Sequence, residues 1–363
     1  MRGMARRQRT MWMMVNPEAQ IAKDHALRRI KQLADAALKG LSPVFEQMYS
    51  AEGRPSIPPE RLLKASLLIA LYSVRSERLF CEQLGYNLLY RWFLDMEGEE
   101  ASFEHSSFSA NRARLLEQAV AAEFFYAMVE QARELKLLSD EHFTVDGTLI
   151  EAWASLKSFK RRGGGAQQPP DDPGNPTVNF HGESRTNTTH ESTTDPDALL
   201  ARKGSGKEAK LCYSAHALME NRHSLLIDFQ VEPADGRAER RAAIAMADER
   251  LAGRRRITLG GDKGYDTHGF VAACRALNIT PHVARNEARP GGSAIDGRTS
   301  RHPGYAVSQW IRKRIEESFG WMKTIGGLRK TRYRGRERVQ MHAYFVAAAF
   351  NLLRIAHLVP ALS

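Results

Sequence analysis

Cysteine is scarce in this chain. Cys81, Cys212 and Cys274 are its three thiols, odd in number and far apart. They offer no CxxC and no Cys/His spacing, which excludes a disulfide framework and a zinc centre. Reduced, buried and inert thiols of a cytoplasmic protein are the expectation. Long apolar runs are missing too. No stretch reaches the length of about 18 residues that a membrane span needs. The nearest candidate, AYFVAAAFNLLRIAHLV at 343–359, is interrupted by Asn351, Arg354 and His357, and is expected to form a buried C-terminal helix. Near the N-terminus, MWMMV is too short for the apolar core of a signal peptide. There is no phosphate-cradling P-loop and no internal repeat. Acidic residues are the remaining shortage: 42 Asp and Glu face 53 Lys and Arg, a formal charge of +11.

That excess is concentrated. Residues 312–338 hold ten Lys/Arg against three Glu, a net of +7 by subtraction. A basic stretch of this density suits a polyanionic partner such as double-stranded DNA, with binding that weakens steeply as salt rises. With 363 residues the chain has room for two domains. A basic arm over 1–16 precedes a helical region over 17–139 and a mixed α/β region over 140–359. In the helical region Leu62, Leu63, Leu67, Leu68 and Leu71 recur at helical spacing after Pro58 and Pro59. Ser76 is placed to cap a helix that ends at Gly85. Ser107 is placed to cap another that carries Asn111, Arg112 and Arg114. Two helices joined by a tight turn, with polar side chains outward, match a helix-turn-helix that reads a major groove; a plain helical bundle with a charged face matches equally.

Strand patterns begin near 142. Phe143 and Val145 predict a short strand that ends at Asp146, with Gly147 marking a turn or a close approach. A polar, Gly/Pro-rich segment over about 157–208 predicts a flexible insertion. A hairpin is expected over 211–219 and 225–232, then a helix near 237–252. Ile257, Thr258 and Leu259 predict a strand that ends at Asp262. A helix at 267–277, a strand at 279–284, a loop at 285–304 and a late helix complete the order. A mixed sheet covered by helices follows.

On a continuous late helix Arg312, Glu316 and Lys323 fall within about 40° of one another, while Glu317 turns away. Such a base–acid–base face is either a solvated ion-pair stripe or a place where a cation works beside phosphate. Asp146 and Asp262 tip the balance. A carboxylate at the end of a buried strand needs turn N–H groups or a cation. Three hard oxygen donors suit magnesium, and a pair of such ions suits in-line displacement at phosphorus.

The segments RPSIPPERLLKASLLIALYSVRSERLFCEQL, FTVDGTLIEAWASLKSF, STTDPDALLARKGSGKEAKLCYSAHALMENR, GGDKGYD and RKRIEESFGWMKTIGGLRKTRYRG resemble bacterial DDE-class insertion-sequence transposases of the insertion-sequence-five family. The resemblance implies a ribonuclease H-like catalytic core, with Asp146, Asp262 and Glu316 as catalytic and metal-binding carboxylates. It implies two Mg2+ ions, with Mn2+ an acceptable substitute. Arg312, Glu316 and Lys323 match the last three members of the family's Tyr-x2-Arg-x3-Glu-x6-Lys signature; its Tyr position is Gln309 here. Arg312 and Lys323 are expected on phosphates, and Lys263, Arg329, Lys330, Arg332 and Arg334 along the backbone. Implied partners are terminal inverted repeats and target DNA, bound by at least a dimer at the nucleoid, with no membrane. A junction or repair nuclease on the same core, and a DNA-binding regulator with an idle site, are the rival readings.

Overall fold

The computed structural model describes residues 16–359 except 50–51, 53–55, 118, 164–184, 205, 252 and 254–255. The basic arm therefore lies outside the described residues apart from Asn16.

From Pro17 to Glu134 the described chain is helical: α1 (Pro17–Gln20), α2 (Ala26–Gly40), α3 (Ser42–Met48), α4 (Pro59–Leu71), α5 (Glu77–Leu84), α6 (Leu88–Phe93), α7 (His105–Glu117) and α8 (Val120–Glu134). Pro59 opens α4, where its missing N–H costs nothing. Ser76 caps α5 by accepting from Leu79 N, a bond worth about 1 kcal/mol. Ser107 is no cap. It sits one turn inside α7, where its carbonyl accepts from Asn111 Nδ2.

The sheet follows, with β1 (His142–Glu151), the short pair β2 (Phe159–Arg161) and β3 (His190–Ser192), β4 (Leu199–Ala201), β5 (Lys210–Glu220) and β6 (Leu226–Pro233). Next come α9 (Ala238–Leu251), β7 (Ile257–Gly261), α10 (His268–Ala276), β8 (Ile279–Val283), α11 (Gly297–Ser300), α12 (Pro303–Ile311), α13 (Ile315–Thr324) and α14 (Arg336–Leu358). β6, β5 and β1 pair antiparallel; β7 and β8 continue the sheet parallel to β1. β4 adds to the start of β5, while β2 and β3 form a separate two-stranded sheet. The polar segment expected to be flexible is thus paired at both flanks, and its middle, 164–184, lies outside the described residues. Glu220 closes the β5–β6 turn by accepting from the backbone N–H groups of Ser139, Arg222, His223 and Leu225.

Two further expectations need correction. β1 does not stop at Asp146. Thr148, Leu149 and Ile150 carry it to Glu151, because all of 143–151 pairs with β5. What stops early is β7, whose partners on β1 are only His142, Phe143 and Thr144. Nor is the late helix continuous. A single 3-10 turn, Arg312–Arg314, separates α12 from α13 and breaks the constant angular step on which the one-face argument relied.

α14 starts seven residues before the expected 343. Its polar residues patch the free edge of β6. Gln340 accepts from Val231 N (2.5 Å) and donates to Phe229 O (2.8 Å). Asn351 does the same at Leu226, accepting at 2.9 Å and donating at 2.7 Å. Unpaired strand edges are otherwise a liability. The other face of α14 meets α2, α4 and α8, so one hydrophobic core runs from Leu62 and Phe124 through Val346 to Phe229. Fully buried Asp228 joins three layers: it accepts from Tyr126 of α8 at 2.8 Å and faces Arg250 of α9 at 3.6 Å. All three cysteines are free and buried. No helix among the described residues is long and apolar enough to cross a membrane.

Candidate active site

Because β7 leaves β1 after Thr144, the far half of β1 has an open flank. Asp146 and Gly147 stand there, pointing to opposite sides of the strand. Asp146 Oδ1 accepts from Gly147 N at 2.8 Å. Burial raises its carboxyl to about 7 against this bond, and the charges of Asp262, Glu239 and Glu316 push the same way. Asp146, Glu239 and Asp262 line one notch. Gly147, opposite His216, leaves room on its own side. A Cβ there would lie 3.0 Å from both Glu239 Oε1 and His216 Nδ1.

Asp262 reaches the notch from the end of β7. It caps one 3-10 turn, Lys263–Tyr265, accepting from Gly264 N at 2.6 Å. The second aspartate of GDKGYD has another task. Asp266 is fully buried and holds the following loop by accepting from Asn286 N (2.7 Å) and Ala294 N (2.9 Å). Glu316 comes from the first turn of α13 and is exposed, as is Glu317. Lys323, later on α13, donates to Thr148 Oγ1 at 2.6 Å, on Asp146's side of β1. Burial lowers the pKa of its ammonium, and nearby Lys203 and Arg329 lower it further. Arg312 lies against Gly260 and donates to Gln309 Oε1 at 3.0 Å. Gln309, at the family's Tyr position, also donates to His282 O in β8 at 2.5 Å.

Asp146, Thr148, Glu239, Asp262 and Lys203 line a cleft of about 660 Å³. Glu316 is not on its wall. The donor set suits a hard divalent cation in kind: three carboxylates line the cleft, and the burial that raises the Asp146 carboxyl is one that a cation would offset. As the side chains stand, no group of three metal-ligating residues among the described residues is close enough to hold an ion. Asp146 and Asp262 each still spend one oxygen on a local backbone N–H.

The expected DNA-contacting side chains divide. Lys263, Arg329 and Arg334 are exposed, and Arg312 is half-buried. Lys330 pairs with Glu151 at 3.2 Å beneath the Trp153 ring. Arg332 donates to Val74 O at 2.8 Å, tying the basic stretch to the helical region. Of the three expected contacts on α7, Arg114 is exposed. Asn111 is 9% exposed and accepts from Ser56 Oγ, and Arg112 is ion-paired to Glu77 over the Tyr333 ring. The outward polar face expected for α7 is thus turned inward at these two positions, Asn111 toward Ser56 ahead of α4 and Arg112 toward Glu77 of α5 and Tyr333. Sequence reasoning missed Glu239, which sits among AERRAA without a distinguishing pattern, and Lys203 on the polar segment.

A model of the "Transposase DDE domain" matches residues 183–352, which takes in Asp262 and Glu316, and a "Transposase domain (DUF772)" model matches 15–114. No curated protein matches the chain. Among solved structures, a piggyBac transposase synaptic complex with hairpin DNA is 9% identical, with 96% of this chain and 83% of that one covered and a TM-score of 0.33. The Mos1 strand transfer complex is 13% identical, with 85% and 79% covered and a TM-score of 0.24. Likenesses this low fix neither fold nor chemistry.

Proposed function

We propose that this chain, a DDE-type DNA transposase, hydrolyses a phosphodiester at each end of a bacterial insertion sequence and joins the freed 3′-hydroxyl to target DNA. Asp146, Asp262 and Glu316 are its cation-holding acids. Two divalent ions, Mg2+ or Mn2+, supply activation of the attacking oxygen and charge neutralisation at the leaving oxygen. The protein's own residues bind and orient. Asp146 and Asp262 present oxygens from neighbouring strands of a rigid sheet. Lys323 and Arg312 hold phosphate oxygens beside them through charge-assisted hydrogen bonds. Lys263, Arg329, Lys330 and Arg334 extend the cationic surface along the duplex. Positioning and charge stabilisation carry phosphoryl transfer of this kind without a covalent enzyme intermediate.

The observation that carries the reading is the cleft that Asp146 and Asp262 line together, where burial raises the Asp146 carboxyl. Perturbed acids in a cleft mark functional sites. The sheet order, three antiparallel strands followed by two parallel ones, supports a ribonuclease H-like core. Resemblance to the insertion-sequence-five family supports terminal inverted repeats as the recognised DNA, and synapsis of two ends supports a dimer or larger assembly.

The test is nicking and joining of a duplex that carries the element's terminal repeat. Asp146→Asn and Glu316→Gln are expected to reduce Mg2+-dependent nicking by at least about 10³-fold, and Glu317→Gln to leave most of it. Full nicking by Asp146→Asn would end the assignment. Nicking without joining would favour a repair or junction nuclease.

A further inference from the structure

The notch holds more polar chemistry than three acids require. Glu239 enters it from the first turn of α9, on the side of β1 opposite Lys323. It is half-buried, and burial raises the pKa of its carboxyl, with Asp262's charge adding to the effect. It lines the cleft together with Asp146 and Asp262, which Glu316 does not. Two fully buried polar side chains flank it. Tyr265, of GGDKGYD, is completely enclosed, and its hydroxyl is directed at Glu239 without a partner in good hydrogen-bond geometry. His216 is also fully enclosed, with both ring nitrogens unpaired. Its Nδ1 lies as close as Glu239 Oε1 to the vacant Cβ position of Gly147.

A buried hydroxyl or imidazole left unpaired costs free energy of the order of 1–3 kcal/mol. Both groups cluster at a carboxylate that shares its cleft with Asp146 and Asp262. A cation shared by Asp146, Asp262 and Glu239 removes the repulsion between them. The Tyr265 O–H can then donate to the ionised Glu239, and glycine at 147 gives Glu239 its path along the strand.

We propose that Glu239 is a fourth carboxylate of the cation site, supplying an oxygen from the side opposite Glu316 and steadied by the Tyr265 hydroxyl. This rests on the cation-dependent function proposed above. Glu239 touches the ion and is a ligand; Tyr265 acts through it and is a positioning residue.

Mn2+ binding to the purified full-length protein, read by the electron paramagnetic resonance signal of free Mn2+, tests it apart from turnover. Glu239→Gln should weaken binding by about tenfold or more, and Tyr265→Phe should weaken it by less. The same variants should need more Mg2+ for half-maximal nicking. Wild-type Mn2+ affinity in a folded Glu239→Gln protein would overturn the inference. Should that variant fold poorly, Glu239→Asp keeps the charge but withdraws it by one methylene; unchanged affinity there would overturn the inference equally. Loss of nicking in Asp146→Asn beside normal Mn2+ binding in Glu239→Gln would remove this inference and leave the proposed function intact. Full nicking in Asp146→Asn would remove the function itself.

Discussion

Gly147 shows how much one missing side chain decides. It lies in a paired strand, so its backbone needs no special freedom. Its value is space. A methyl group there would stand 3.0 Å from Glu239 Oε1 and from His216 Nδ1, closer than such contacts ordinarily fall. Gly147→Ala should therefore displace Glu239 from the notch. The expected outcome is a loss of nicking at low Mg2+ that high Mg2+ partly restores, with stability reduced by about 1–3 kcal/mol in urea unfolding. Nicking kinetics of the wild type at every Mg2+ concentration would show that the space is idle. The two aspartates of GDKGYD make the complementary point. Asp262 leaves an oxygen toward the cleft, whereas both Asp266 oxygens are spent on loop N–H groups. Identical side chains four residues apart differ because one ends a strand at the cleft and the other faces inward.

Among the elements, α13 and α14 set the position of the late acid. The turn between them passes Gly326, whose added Cβ would meet Val346 of α14 at 2.3 Å and Met322 O at 2.8 Å. Neither neighbour can withdraw freely, since Val346 is fully buried and the other is backbone. Gly326→Ala should cost about 1–3 kcal/mol of stability, measured as a lower urea midpoint at an unchanged denaturant slope. A midpoint equal to that of the wild type would mean the α13–α14 turn adapts, and that Glu316 is less firmly held than the packing implies. The side-chain amides of Gln340 and Asn351 fix α14 to β6 in register. Asn351, which looked like an interruption of an apolar helix, helps to complete the sheet.

For the whole molecule, charge is the governing quantity. The basic stretch does two jobs at once. Arg332, through Val74 O, and the ring of Tyr333, under Arg112, tie this stretch to the helical region, while Arg329 and Arg334 are exposed. Measured as the logarithm of DNA affinity against the logarithm of salt, the slope should be steep. Arg329→Ala and Arg334→Ala should each flatten it by about one. Arg332→Ala should instead lower the unfolding midpoint. An unchanged slope in both exposed-arginine variants would move the duplex to another surface.

The sequence by itself determined the mixed α/β order, the hairpin, the caps such as Ser76 and the acids Asp146, Asp262 and Glu316 as candidates. These follow from local periodicity and turn chemistry, which neighbouring residues encode directly. Register, by contrast, belongs to partners distant along the chain. It was the early departure of β7, rather than any turn at Gly147, that opened β1's flank. It was the 3-10 turn at Arg312–Arg314 that replaced one straight helical face with two segments. The inward turn of Asn111 and Arg112, and the arrival of Glu239 beside Asp146, depend on packing between elements far apart along the chain, which no local pattern records.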